Sequence, residues 1–145
     1  MKKIFNTKGT LKTLFVGLIL IFSLFFLSGC KSAELQAIED SASVLQITTG
    51  REVRRSTQDK GTALGKPVYP EILIVYEPIN NHTRKGVYEE IVAILKKNNW
   101  MGSEPITGTG YDYFKATLQQ GGFEISTGVS TDEIQNIVTI SMAIH

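Results

Sequence analysis

The chain is short of most residues that announce a chemistry. Cysteine occurs once, which excludes an internal disulfide framework and any multi-cysteine zinc site. Histidine occurs twice, at His82 and His145, with no nearby cluster of further metal-ligand types, so no metal is expected. Charge of one sign is also missing. With 15 Lys+Arg against 14 Asp+Glu, there is neither a basic field for nucleic acid nor an acidic tail. At 145 residues the length allows one domain of ordinary size.

The balanced charge conceals a split. Residues 1–29 carry Lys2, Lys3, Lys8 and Lys12, no acid, and five of the seven Phe. Beyond position 29, 11 basic residues face 14 acidic ones, a net charge of −3. Leu14 to Leu27 is an apolar run broken only by Gly17 and Ser23. As a helix it spans roughly 21 Å, short of the ~30 Å hydrocarbon core of a bilayer. A basic start, a short apolar run and small residues after it make a signal peptide rather than a permanent membrane helix.

The run ends in Leu27-Ser28-Gly29-Cys30, which resembles the lipobox of bacterial lipoproteins. The resemblance implies that the Cys30 sulfur receives a diacylglycerol. It also implies that a dedicated peptidase, reading Leu27, Ser28 and Gly29, cuts just before the thiol. Acyl chains of the palmitate type bury enough CH₂ groups, at about 0.8 kcal/mol each, for stable anchoring when two are present. The expected location is therefore a membrane surface outside the cytoplasm. Lys31 stands where an Asp retains many Gram-negative lipoproteins at the inner membrane. The outer membrane is thus the expectation in a Gram-negative host, and the outer leaflet of the cell membrane in a Gram-positive one. The resemblance covers about thirty residues and defines a sorting class, not a function.

Three segments are expected: a signal peptide over 1–29, a tether or helix with a polar basic loop over 30–70, and a small α+β domain over 71–145. Leu35, Ile38, Ala42 and Leu45 form a helical stripe, so 33–47 is either an additional helix or a flexible tether. Arg51 to Pro70 is polar and Gly/Pro-punctuated, and reads as a loop or a short edge strand. Ile72-Leu73-Ile74-Val75-Tyr76, between Pro70 and Pro78, has the composition of a buried strand. Val87, Ile91, Ile94 and Leu95 predict the main helix, begun by the turn and cap residues Asn80 to Thr83 and closed at Asn98-Asn99. After a loop over 102–110, alternation predicts a three-strand meander with turns at Gly121-Gly122 and at Ser130 to Glu133. The expected architecture is a β-α-β-β-β two-layer sandwich, with one main helix on an antiparallel sheet.

No catalytic set emerges. Gly61 to Lys66 imitates a phosphate loop but is one residue short between glycines, with Pro67 where Ser or Thr would meet magnesium. Glu89 and Glu90 lie about 100° apart on the helix, cannot face each other across a bond, and read as solvated. No nucleophile elbow occurs, and Cys30 belongs to the anchor. Tyr111 and Tyr113 share one strand face and form a candidate binding surface. The sequence thus points to a non-catalytic interaction or accessory module without cofactor, such as an immunity, exclusion or envelope-assembly lipoprotein. Its partners would be the membrane and a protein or second copy. The alternative is a solute- or glycan-binding lipoprotein using the two tyrosines. Cys30→Ser is expected to abolish metabolic labelling with palmitate and to leave uncleaved precursor, and labelling that persists refutes the anchor.

Overall fold

The computed structural model describes residues 31–145. The expected signal segment over 1–29, with Leu27, Ser28, Gly29 and Cys30, lies outside the described residues. Lys31–His145 is one compact unit, and among the described residues no helix is long and apolar enough to cross a membrane.

Its elements run α1 (Ala33–Ala42), β1 (Gly50–Gln58), β2 (Gly61–Ala63), β3 (Lys66–Val68), β4 (Glu71–Pro78) and α2 (Arg84–Lys97), then β5 (Met101–Gly102), β6 (Ile106–Gly108), β7 (Tyr111–Gln120), β8 (Phe123–Asp132) and β9 (Ile137–Ala143). Seven strands form one antiparallel sheet in the order β1-β4-β9-β8-β7-β5, with β6 also paired to β7. Strands β2 and β3 make a separate hairpin. The class is α+β, mostly sheet.

Alternation decides which side of the sheet is dry. Ile72, Ile74 and Tyr76 of β4, Phe114 and Ala116 of β7, Ile125 and Val129 of β8, and Val138, Ile140 and Met142 of β9 are all buried. They join Leu35 and Ile38 of α1 and Val87, Ile91 and Leu95 of α2 in a single core cluster. Their neighbours in each strand face the other way. Fully burying one such aliphatic side chain contributes about 1.5–3 kcal/mol, so the two helices are held chiefly by this face.

Helix α2 follows its expected boundaries. Thr83 caps it, its hydroxyl accepting from the Gly86 amide, and Lys96 and Lys97 occupy the last turn, where the dipole favours cations. At the other end Asn99 adopts a left-handed φ of 64°. The Trp100 amide then donates to the Leu95 carbonyl at 3.1 Å and the Asn99 amide to Lys96 at 3.3 Å, a Schellman closure. This delivers Trp100, 4% exposed, into the core. The Gly121-Gly122 turn also forms as expected, with φ of 61° and 84°, values that match the twist of a tight hairpin.

Several boundaries differ from expectation. The 33–47 stripe becomes a helix only to Ala42, because Ser43 turns back and bonds the Asp40 carbonyl through its hydroxyl. Leu45 stays buried beyond it, so the segment belongs to the core rather than to a tether. Of the two readings of Arg51 to Pro70 the edge strand holds, but it is not short: β1 is a nine-residue strand with eight exposed positions, followed by the β2–β3 hairpin. An edge strand needs hydrogen bonds to its neighbour more than an apolar stripe, so hydropathy alone does not reveal it. The compact unit consequently starts at Lys31, not at Glu71. The 102–110 loop carries the short β5 and β6, and the second meander turn falls at Glu133–Asn136, because Ser130 to Asp132 still pair with β9. The element order is therefore longer than β-α-β-β-β.

Glu90 corrects another expectation. Rather than being solvated, its carboxylate accepts hydrogen bonds from both the amides and the hydroxyls of Thr48 and Thr49. Thr49 in turn offers its carbonyl to the Ile79 amide at 3.1 Å, so the α1–β1 connection is pinned to α2 and to the β4–α2 turn. Partial burial opposes the charged form, but the bonds from Thr49 and Thr48 outweigh it and draw the carboxyl down to about 2. An unfolded Glu protonates near 4.5, so the stabilisation is complete above that value and is lost as pH falls through about 2. Glu90→Gln should therefore lower stability by about 1–2 kcal/mol at neutral pH. In urea melts the deficit against wild type should shrink steadily below pH 4; a gap independent of pH would contradict the account.

Candidate functional site

The strands present their second face uncovered by either helix. Cross-strand register builds it in rows: Tyr113, Ser130, Thr139 and Val75, then Lys115, Gly128, Ser141 and Leu73, then Thr117, Ser126, Ala143 and Glu71. The two central strands thus contribute only small side chains, and the larger ones stand on the flanking β7 and β4. A strip of small residues between taller walls is a groove, here about 490 Å³ in volume. Tyr113 and Lys115 form one wall. On the other side Tyr69 meets His145 edge to face, their ring centroids 5.9 Å apart. The Gln58 side-chain amide donates to the Tyr69 carbonyl at 3.4 Å, and the Ile144 amide to the Pro70 carbonyl at 3.3 Å, which ties this wall to β1 and the chain end.

The structure places the two candidate tyrosines together on this face, with Asp112 between them turned to the opposite side and buried. Tyr111 is 53% exposed and Tyr113 37% exposed. Both rings lie across glycine. Tyr111 pairs with Gly108 of β6, and a methyl group added at Gly108 would come within 2.6 Å of the Tyr111 ring. The Tyr113 ring and hydroxyl reach over Gly128 of β8, in ordinary contact with the space a Cβ there would fill. Glycine under an aromatic ring lets the ring lie flat on the backbone, so each tyrosine is held as a low plate rather than a free arm. Ile106, paired with Tyr113, and Met101, paired with Thr117, extend the same face and are also exposed. The result is a small aromatic and aliphatic strip beside a polar groove.

Hydroxyls, one Lys, one His and tyrosine plates offer hydrogen bonding and flat apolar area, the mixture that binds sugars or peptides. Among the described residues no three His, Cys, Asp or Glu side chains gather where a metal ion would be held. His82 lies exposed in the turn before α2, its amide bonded to the Ile79 carbonyl. Sequence spacing finds Tyr111 and Tyr113, but it does not find Ile106, Met101, Tyr69 or His145. These four reach the face through short strands and a chain end that carry no periodic signal. Comparison with protein-family models and with curated proteins finds no match to this chain.

Gly108→Ala tests the ring-on-backbone geometry. The φ of Gly108 is not in the left-handed region, so alanine suits the strand, and only the Tyr111 ring has to move. The melting temperature should fall by no more than about 5 °C, corresponding to about 1 kcal/mol. The Tyr111 ring resonances should shift while those of Tyr88 stay in place; unchanged Tyr111 resonances would refute the stacking.

Proposed function

We propose that the chain is a lipid-anchored, extracytoplasmic, non-catalytic interaction module. In this reading it is a two-layer domain whose helix side closes the core and whose open sheet face binds a protein partner or a second copy. The observation that carries it is the group of Tyr111, Tyr113 and Ile106, large side chains left exposed as cross-strand neighbours on one face, with Met101 exposed further along it. A contiguous apolar strip rimmed by polar residues is the ordinary mark of a contact surface.

The anchoring half of the reading rests on Leu27-Ser28-Gly29-Cys30 in the sequence, just before the first described element. Ser32 caps α1, and both its amide and its hydroxyl bond the Asp59 carboxylate at the end of β1. Lys60 reaches Glu34 at 2.8 Å beside this latch. Only Lys31 separates the latched Ser32 from Cys30, and two residues of extended chain reach about 7 Å. An acylated Cys30 would hold the domain directly at the lipid surface, without a flexible stalk.

Glycan binding is the second reading, and the groove between Tyr113 and the Tyr69–His145 pair favours it. A photo-crosslinking amino acid placed at position 111 in intact cells discriminates these readings. The expected result is one discrete protein adduct from position 111 and none from exposed Gln36 on α1. Equal adducts from both positions, or none from either, overturn the protein-binding reading. Retention on cell-wall polysaccharide that is lost in Tyr113→Ala favours the glycan instead.

A further inference from the structure

A second cleft, of about 390 Å³, lies on the opposite side of the sheet, where α2 meets the turn leading into β7. Val92 and Ala93 of α2 and Pro105 form an apolar wall, and Lys85, Glu89, Lys96 and Thr107 also line the cleft. Tyr88 lines it and is 4% exposed, and the Tyr88 hydroxyl is buried without any hydrogen-bond partner. Asp112, the inward-facing residue between the two outer-face tyrosines, lines it as well and is 7% exposed. Among the described residues no Lys or Arg forms an ion pair with Asp112. The lysines at the rim are engaged elsewhere: Lys85 stands 3.9 Å from Glu89, and Lys96 lies over the Phe114 ring at 5.8 Å from its centroid.

Burying a hydroxyl without a partner beside a largely buried acidic residue is costly, and a ligand that reaches both groups would meet that cost. Burial pushes the Tyr88 hydroxyl up to about 12, with the nearby Asp112 charge adding to the rise, so the phenol stays neutral. A neutral phenol oxygen and a carboxylate both accept a hydrogen bond. The carboxylate favours a cationic donor that the phenol oxygen can also accept from, and the apolar wall suits carbon behind it.

We propose that this cleft binds a primary ammonium group at the end of an apolar stem, with the nitrogen donating to the Asp112 carboxylate and the Tyr88 hydroxyl oxygen and the stem lying against Val92, Ala93 and Pro105. The site does not rest on the outer-face reading. Asp112 and Tyr88 face away from Tyr111 and Tyr113, so either surface functions without the other.

Titrating the purified full-length protein in detergent micelles, with amide chemical shifts as the readout, tests the assignment. The probes are n-butylammonium, butyrate, and an acetyl-Gly-Lys-Gly amide peptide. n-Butylammonium is expected to shift the amides of Tyr88, Val92 and Asp112 at millimolar concentration, and butyrate is not. The same shifts with the peptide identify a lysine side chain as the occupant; shifts with n-butylammonium alone identify a small free amine. Asp112→Asn should weaken binding by about tenfold or more, since a charge-assisted bond is lost. Tyr88→Phe should weaken it by about threefold while melting at or above the wild-type temperature, because it deletes a hydroxyl that has no partner. Butyrate binding as well as the amine, no localised shifts up to about 50 mM, or undiminished binding in both variants overturns the proposal.

Discussion

Strands β4, β7, β8 and β9 each turn a buried row of apolar side chains to the same side. This one-sidedness is what the remaining structure answers to. Ile72, Ile74, Ile125, Val129, Val138, Ile140 and Met142 are fully buried only because α1 and α2 lie over them. The helices need that face equally, since neither would be stable in water by propensity alone. Once α2 is committed to the sheet, its remaining positions are assigned by geometry. Glu90 falls at the margin and ties down the α1–β1 connection, whereas Glu89 one residue earlier stays exposed and meets only Lys85. Two adjacent carboxylates of identical chemistry thus come to different roles through a 100° rotation about the helix axis.

The same constraint explains why the other side is available for binding. A sheet wet on one face carries no packing requirement there, so its central strands can hold Ser126, Gly128, Ser141 and Ala143 without loss to the core. Small residues in the middle and tyrosines at the flank then create relief on a surface that would otherwise be flat. At the margin of the dry face the opposite problem arises. There α2 no longer covers β7 completely, and Asp112 with the Tyr88 hydroxyl is left between protein and solvent.

How much of this was legible in the sequence depends on whether an element advertises itself by hydropathy. Helix α2, strands β4 and β7 to β9, and the glycine turn are periodic, and their residues read correctly to within a few positions. Ser130, Thr131 and Asp132 have turn chemistry and suggest an earlier second meander turn, yet cross-strand pairing with β9 extends the strand through them. Strand β1 is legible only as one of two alternatives, a loop or a short edge strand. Arg51, Glu52, Arg54 and Arg55 describe a solvated loop by composition, and they form a strand because β4 has a free row of backbone groups to satisfy. The bulge between Glu52 and Arg54, bridged by the Arg55–Glu52 pair, leaves no trace in residue type. At the outer face the tyrosines were legible as a pair two residues apart, but the glycines beneath them belong to other strands and declare themselves only through register.

The pairing of β4 with β9 has a kinetic side. It joins Ile72 to Met142 and Tyr76 to Val138, residues more than sixty positions apart, whereas β7–β8 and β8–β9 are hairpins closed by short turns. The chain therefore holds two locally formed units: β1 with β4, and the meander that runs from β7 to β9. Local hairpins form in microseconds, while a distant pairing has to wait on the closure of a long loop. Helix α2 lies within that loop and packs against β4, β8 and β9, so forming it shortens the distance the ends must search. Docking of the two halves across the β4–β9 seam is the slow step this topology imposes. Until it occurs, the inner faces of both halves stand open to water, and to other chains in the same state.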